Sequence, residues 1–130
     1  MVLLACDTTH HEGFVYTIEN KSSVLMRLES YDVAGNRLGN EVLAPNAALS
    51  VYSPTRQLYP VPNYQLEMDS VAVIFNEERV LGFKSCPFTE WAGCSGIFGY
   101  DFYQFVPRDL GGSYTYTFTE ADYASAPEIE

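Results

Sequence analysis

The sequence predicts an all-β fold, an antiparallel sandwich of two face-packed sheets with about seven or eight strands. Three observations lead to this prediction. Apolar and polar residues alternate with a period of two along most apolar stretches, as side chains do along a strand. Breaks rich in Gly, Pro, Asn or Ser recur about every 8–12 residues. Aromatic residues, which favour strands over helices, make up 15% of the chain. A small closed barrel is the alternative architecture.

A hairpin over residues 69–83, DSVAVIFNEERVLGF, is the most apolar element and is expected at the centre of a sheet. Alternation places Val71, Val73 and Phe75 on one face of its first strand. The polar residues 76–79 form a break of turn length, after which an apolar run resumes. We therefore predict two paired antiparallel strands in this segment.

The other elements follow from the same alternation and from turn residues. Residues 14–19 and 24–31 predict a first antiparallel hairpin, joined by the polar turn 20–23. Because proline cannot donate to a β ladder, the proline-containing stretch 53–64 predicts a loop that crosses between sheets. The remaining predictions are weaker strands over 38–43 and 49–52, an edge strand over 100–106 that stops at Pro107, a final strand over 113–120, and a helical turn over 120–126 capped by Thr119 and Asp122.

The chain of 130 residues has the length of one domain, and 47% of its residues are hydrophobic, enough to form a core. We assign residues 13–126 to a single sandwich domain, residues 1–12 to a signal remnant with a flexible tether, and residues 127–130 to a frayed acidic tail. The net charge of −10, with only 7 basic residues, argues against a nucleic-acid partner, since phosphate binding requires clustered Lys and Arg. No apolar run approaches the ~18–20 residues of a membrane-spanning helix.

The N-terminus carries a short motif, Leu3-Leu4-Ala5-Cys6, with a small residue directly before the cysteine. This pattern is similar to a bacterial lipobox, in which the cysteine is lipidated. The polar residues 7–13 that follow would then tether an anchored domain. The basic region and the longer apolar region of a secretory signal are not present. An ordinary apolar N-terminus with a buried thiol at Cys6 is therefore the alternative.

Several passages together resemble the small, mostly uncharacterised β-sandwich lipoproteins of gut anaerobic bacteria. They are residues 3–6, the opening segment 14–28 (FVYTIENKSSVLMRL), and the central segment 69–83 with the closing segment 114–123 (YTYTFTEADY). The resemblance implies an immunoglobulin-like fold and a lipid anchor on Cys6. It also implies a place at the bacterial cell envelope, on the outer membrane or the cell surface, with membrane contact only through the lipid. It implies no established activity.

Cys86 and Cys94 lie close together in a segment rich in Gly and aromatic residues. They are compatible with a disulfide, with a metal pair or with two free thiols. A metal site needs about four ligands, and the two histidines, His10 and His11, are far away in sequence. We favour the disulfide because it suits an oxidising envelope and leaves Cys6 for the lipid. No metal and no cofactor is predicted.

The sequence offers little support for catalysis, and we predict a non-enzymatic protein without catalytic residues. Residues 93–96, Gly-Cys-Ser-Gly, lack the G-x-S-x-G spacing of a nucleophile elbow and have no histidine near them. Glu77 and Glu78 have the residue type of the carboxylate pair in a glycoside hydrolase, but we expect them to solvate a hairpin turn. A small hydrolase that uses surface carboxylates stays an alternative.

Aromatic residues in predicted loops give the best candidate ligand-binding surface: Tyr59, Tyr64, Phe88 and Trp91. Exposed rings of this kind stack on sugars or anchor a protein partner, and Trp91 is the first candidate among them. The alternative is that the rings close the ends of the sandwich. We therefore expect an envelope-tethered binding or accessory module for a glycan or an envelope protein. A structural subunit that docks to a larger envelope assembly through a sheet edge is the second hypothesis.

Overall fold

The computed structural model describes residues 12–86 and 96–129, and within them the chain forms two four-stranded sheets. The first sheet has the strand order β4-β1-β8-β7 and the second has the order β3-β2-β5-β6. The predicted two-sheet sandwich with a short C-terminal helix is confirmed. Its elements are β1 (Glu12–Lys21), β2 (Met26–Asp32), β3 (Arg37–Leu43), β4 (Ala48–Ser53), β5 (Met68–Phe75), β6 (Arg79–Lys84), two 3₁₀ turns (Gly96–Phe98 and Tyr100–Phe102), β7 (Gln104–Arg108), β8 (Leu110–Thr119) and α1 (Glu120–Ser125).

The predicted central hairpin is present as β5 and β6, which pair antiparallel from Ser70↔Lys84 to Phe75↔Arg79. The face of β5 that carries Val71, Val73 and Phe75 is buried in the core, as alternation predicts. Its polar break makes a tight turn, because Asn76 and Glu77 both adopt left-handed backbone conformations. β5 lies inside the sheet and β6 lies at its edge.

The predicted first hairpin is wrong, because β1 and β2 belong to different sheets. The polar turn contains a fully buried side chain, that of Asn20. Its amide Nδ2 donates to the carbonyl oxygens of Val24 and Leu43, both at 2.9 Å. Its Oδ1 accepts from the backbone N–H of Ser22 at 3.0 Å and from the Ser22 hydroxyl at 2.6 Å. The buried amide therefore holds the chain where it crosses from one sheet to the other.

β1 and β8 pair in parallel, from Glu12↔Leu110 to Lys21↔Thr119, whereas the other ladders among the named strands of the described chain are antiparallel. The two backbones approach closely at Gly13 and Gly111, where a Cβ atom on Gly111 would overlap the Gly13 carbonyl group. The strand order also differs from that of a constant-type immunoglobulin domain, in which the first two strands are neighbours in one sheet. The layers are those of the prediction, whereas the order of the strands within them is not predicted by the sequence pattern.

The proline-containing segment between β4 and β5 crosses between the sheets without forming a strand, as predicted. Two core tyrosines hold its backbone at Gln57. The N–H of Gln57 donates to the hydroxyl of Tyr16 at 2.9 Å, and the hydroxyl of Tyr100 donates to the carbonyl of Gln57 at 2.6 Å. The guanidinium of Arg56 lies 4.1 Å from the centre of the Tyr100 ring. The crossing loop, residues 54–67, is therefore anchored to the core at one defined point.

Two expectations near the C-terminus need correction. The edge strand β7 begins after the 3₁₀ turn at Tyr100–Phe102 and continues through Pro107. Proline is tolerated there because one side of an edge strand has no neighbouring strand, so no ladder hydrogen bond is lost when the N–H is absent. The tail is not frayed over residues 127–129, since the N–H of Val80 donates to Pro127 O and the N–H of Ile129 donates to Glu78 O, both at 2.9 Å. The capping box at the start of α1 is present as predicted.

Replacing Asn20 by alanine tests the role of the buried amide. The change leaves the carbonyl of Leu43 and the backbone N–H of Ser22 without their side-chain partner and removes one of two donors from the carbonyl of Val24, so we expect the free energy of unfolding to fall by about 2–4 kcal/mol. The measurement is urea unfolding followed by circular dichroism. Asn40→Ala, at an exposed position of β3, is the control and should change the value by less than about 0.5 kcal/mol. Equal effects of the two variants would contradict the assigned role.

Replacing Gly111 by alanine tests the close approach of β1 and β8. The added methyl group overlaps the Gly13 backbone, which no side-chain rotation can relieve, so we expect a loss of about 1–3 kcal/mol or more in unfolding free energy. Gly82→Ala is the matched control, because a Cβ atom at Gly82 meets open space. A Gly111→Ala protein as stable as the Gly82→Ala protein would show that the two strands do not pair in this register.

Candidate ligand-binding cleft

A cleft of about 370 Å³ opens between the two sheets beside their edge strands β3 and β4. Its size is at the lower end of the ~300–1,000 Å³ that is usual for small-molecule sites. The crossing loop contributes residues 61–65 to its wall. Apolar side chains from both sheets also line the cleft, namely Ile18, Leu28, Leu38, Leu49, Met68 and Val71.

The cleft exists because three inward positions lack a large apolar side chain. The register Leu28↔Glu41 and Ser30↔Gly39 places four residues on the face of the second sheet that points to the core. In a close-packed sandwich, such positions carry side chains that interdigitate with the opposite sheet. Here Gly39 has no side chain, Ser30 has a small one, and Glu41 carries a charge. The resulting space is not filled by other described residues.

The carboxylate of Glu41 gives the cleft its negative charge. Its Oε2 accepts one hydrogen bond of 3.3 Å from Nδ2 of Asn63, on the crossing loop. Asn63 adopts a left-handed backbone conformation in a turn that is closed by the bond from Tyr64 N–H to Val61 O at 3.1 Å. Among the described residues that line the cleft, none is Lys, Arg or His. The carboxylate therefore has no positive partner within the cleft.

Tyr64 lines the same cleft and has a buried hydroxyl with no hydrogen-bond partner among the described residues. Burial raises the pKa of this phenol, and the negative charges that Tyr59 and Glu67 carry when ionised raise it further. The hydroxyl is consequently protonated at neutral pH and can donate or accept a hydrogen bond. Buried polar groups without partners are rare in folded proteins and often mark a place where water or a ligand binds.

The four aromatic residues predicted as ligand contacts have different positions. Tyr59 is 7% exposed, its hydroxyl donates to the carbonyl of Cys86, and its ring packs edge-on against Phe98 with centroids 5.2 Å apart. It is therefore a core residue rather than an exposed stacking platform, which corrects the expectation. Tyr64 is half-buried and borders the cleft. Phe88 and Trp91 lie outside the described residues, and their role stays a prediction.

The three cysteines are only partly covered by the structure. Cys86 is half-buried against the hydrophobic core, at the end of β6. Cys94 and Cys6 lie outside the described residues, as does the segment around the Gly-Cys-Ser-Gly sequence. The disulfide between Cys86 and Cys94 and the lipidation of Cys6 therefore stay predictions.

The carboxylates of the hydrolase alternative already have structural partners. Both oxygens of Glu77 accept from Arg27, at 2.8 and 2.9 Å, and this hydrogen bonding holds the pKa of Glu77 below its usual value. Glu78 accepts from the hydroxyl of Tyr123 and from the side chain of Asn76, which lower its pKa as well. A general acid in glycoside hydrolysis needs a raised pKa. This pair therefore has the properties of a surface ion-pair and turn network.

The residues that make the cleft were not identified from the sequence, although one signal was present. Within β3, alternate residues share a face, so Gly39, Glu41 and Leu43 lie on the same side of the strand. Leu43 is the large apolar residue among them and is buried in the core. A charged residue on the same face as a core leucine indicates an interruption of the core. Asn63 and the position of the crossing loop carry no comparable signal, because loop placement depends on long-range contacts.

The part of the chain that the structure describes contains no group of three or more His, Cys, Asp and Glu side chains placed to hold a metal ion. None of its helices has the length and apolarity needed to cross a bilayer. Comparison of the chain with family models, with curated proteins and with solved structures found no match. What the cleft binds therefore has to follow from the chemistry of its own residues.

Proposed function

We propose that this protein is a non-enzymatic binding module whose ligand enters the cleft between β3, β4 and the crossing loop. The observation that carries the proposal is the carboxylate of Glu41, a half-buried residue that lines a cleft of about 370 Å³ and has no positive partner among the described residues. Concave surfaces that combine apolar side chains with a few polar groups are typical of small-molecule sites.

The cleft lowers the stability of the folded protein compared with a filled core, and this loss of stability supports a functional explanation. A void between packed sheets gives up dispersion contacts, and Glu41 occupies an inward position of β3 at which an apolar side chain would join the core. Leucine or valine at Gly39 and Glu41 would fill the space and would suit the inner face of β3. Local choices that oppose the fold in this way are expected at functional sites.

The module is proposed to be tethered at the bacterial cell envelope through lipid on Cys6, as in the lipoproteins that the sequence resembles. The motif at residues 3–6 supports this proposal. β1 begins at Glu12, so a tether from Cys6 spans at most about 20 Å. Ile18, which lines the cleft, lies six residues after Glu12 in β1. At the rise per residue of a strand, this is a distance of about 20 Å from the start of β1. The cleft would therefore be held away from the membrane-proximal end of the domain.

A second function, docking to a larger envelope assembly, is favoured by the sheet edge at β7. Phe102, Phe105, Val106 and Leu110 are large apolar residues that are exposed on or beside this strand. Exposed apolar groups along a sheet edge are typical of surfaces that bind other proteins. Pro107 removes one backbone donor from the same edge, which limits how far a partner strand can extend the sheet.

The cleft is tested with N-phenyl-1-naphthylamine, a neutral apolar fluorophore, in titrations of the full chain. We expect saturable one-to-one binding that is weakened at least tenfold by Gly39→Leu, because Gly39 lines the cleft, its backbone is not in the left-handed region, and its added Cβ atom meets only the Ser30 hydroxyl, at 3.1 Å. Gly82→Leu, on an exposed part of β6, is the control and should leave the affinity unchanged. Absence of saturable binding, or equal binding by both variants, would refute the cleft as the site.

The predicted disulfide is tested by mass spectrometry of protein produced in an oxidising compartment. Trypsin releases residues 85–108 as one peptide that contains both Cys86 and Cys94. Without prior reduction, we expect this peptide to resist alkylation and to be 2 Da lighter than its reduced form. Reduction should also lower the unfolding free energy by about 2–3 kcal/mol, the value for a loop of this length. A doubly alkylated peptide from non-reduced protein would exclude the bond.

A further inference from the structure

We infer that the cleft selects an amphipathic primary amine, with the ammonium group at Glu41 and an aliphatic body along the apolar wall. This inference rests on the proposed binding function and names the class of ligand for the same site. It follows from three properties of the described cleft: its charge, its free hydrogen-bonding capacity, and the shape of its apolar surface.

The charge of the cleft excludes anions as preferred ligands. Glu41 is its one ionisable carboxylate among the described lining residues, and no Lys, Arg or His offsets it there. The chain as a whole carries a net charge of −10, which adds a repulsive field for anionic molecules. A cationic ligand would instead supply the positive partner that Glu41 lacks. Charge-assisted hydrogen bonds of this kind are stronger than those between neutral groups.

The hydrogen-bonding capacity of the cleft matches an ammonium group. A carboxylate accepts at about four lone-pair positions, and Asn63 occupies one of them with a long bond of 3.3 Å. Ser30 and Tyr64 also line the cleft, and the hydroxyl of Tyr64 has no described partner. An ammonium group has three donors and no acceptor. The cleft therefore offers acceptors where a primary amine offers donors.

The apolar wall determines the rest of the ligand. Leu28, Leu49, Val61 and Met68 line the cleft with aliphatic surface, and Tyr64 is the one aromatic residue among its described lining residues, which suits a flexible hydrocarbon chain better than a sugar ring. Each methylene buried against such a wall strengthens binding roughly fourfold. A series from butylamine to octylamine should therefore gain affinity stepwise until the chain is longer than the cleft.

The test is a titration of the full chain with hexylamine, 1-hexanol and hexanoate, followed by two-dimensional amide NMR and calorimetry. We expect hexylamine to bind at least tenfold more tightly than hexanol, and hexanoate to bind most weakly. Glu41→Gln should abolish the preference for hexylamine over hexanol while the alcohol still binds. Glu67→Gln is the matched control, because Glu67 is exposed nearby but does not line this cleft; it should keep the preference.

The ratio of hexylamine to hexanol affinity is measured within each variant. A general loss of stability would lower both affinities together, so it cannot by itself produce the expected change in this ratio. Equal affinities for hexylamine and hexanol in the unchanged protein would overturn the inference about amines and leave the proposed binding function intact. Failure of N-phenyl-1-naphthylamine and of all three hexyl compounds to bind would overturn both. A preference for hexylamine that persists in Glu41→Gln would also refute the assigned role of this carboxylate.

Discussion

The architecture depends on one buried amide, that of Asn20. Its side chain bonds to Val24 and Leu43, and its backbone bonds to the turn before β4, with Asn20 N–H donating to Ala47 O at 2.9 Å and Asn46 N–H donating to Asn20 O at 2.7 Å. These contacts join two of the places where the chain changes sheets, after β1 and after β3. A satisfied polar group in a core specifies one arrangement, because any other would leave its donors and acceptors buried without partners.

The cleft is a consequence of this arrangement. The two crossings put β3 at the edge of one sheet and β4 at the edge of the other, with the interior between them accessible from the side. The crossing loop, held at Gln57 by Tyr16 and Tyr100, covers part of this opening. The rigid core therefore positions both walls of the site. The residue types at Ser30, Gly39 and Glu41 are needed in addition to create the space and its charge.

Much of the fold could be predicted from local patterns, because period-two alternation and proline act within a few residues. The β5–β6 hairpin, the crossing loop and the capping box at Thr119 are of this kind. Which strands become neighbours could not be predicted. A polar turn such as 20–23 can connect two strands of a hairpin or two strands of different sheets, and its composition does not distinguish the two. The parallel pairing of β1 with β8 joins residues about a hundred positions apart, beyond the reach of any local pattern.

The candidate site could be predicted only in part, for a related reason. Loop aromatics are predicted either to contact a ligand or to close the ends of the sandwich, and Tyr59 fits the second description, since it is buried in the core against Phe98. Tyr64 was identified as a contact residue, and it does border the cleft. Glu41 was overlooked because a charged residue in a short strand is usually assigned to the solvent face. Its inward position follows from the register with Leu28, which pairing between strands determines.

The last residues of the chain have a consequence for association between molecules. Edge strands expose unpaired N–H and C=O groups that can recruit strands from other copies and start fibrous aggregation. At β6, residues 127–129 occupy such groups at Glu78 and Val80, and at β7 Pro107 removes a donor. Residues 127–129 thus cover the first part of the β6 edge, which limits the addition of a strand from another molecule there.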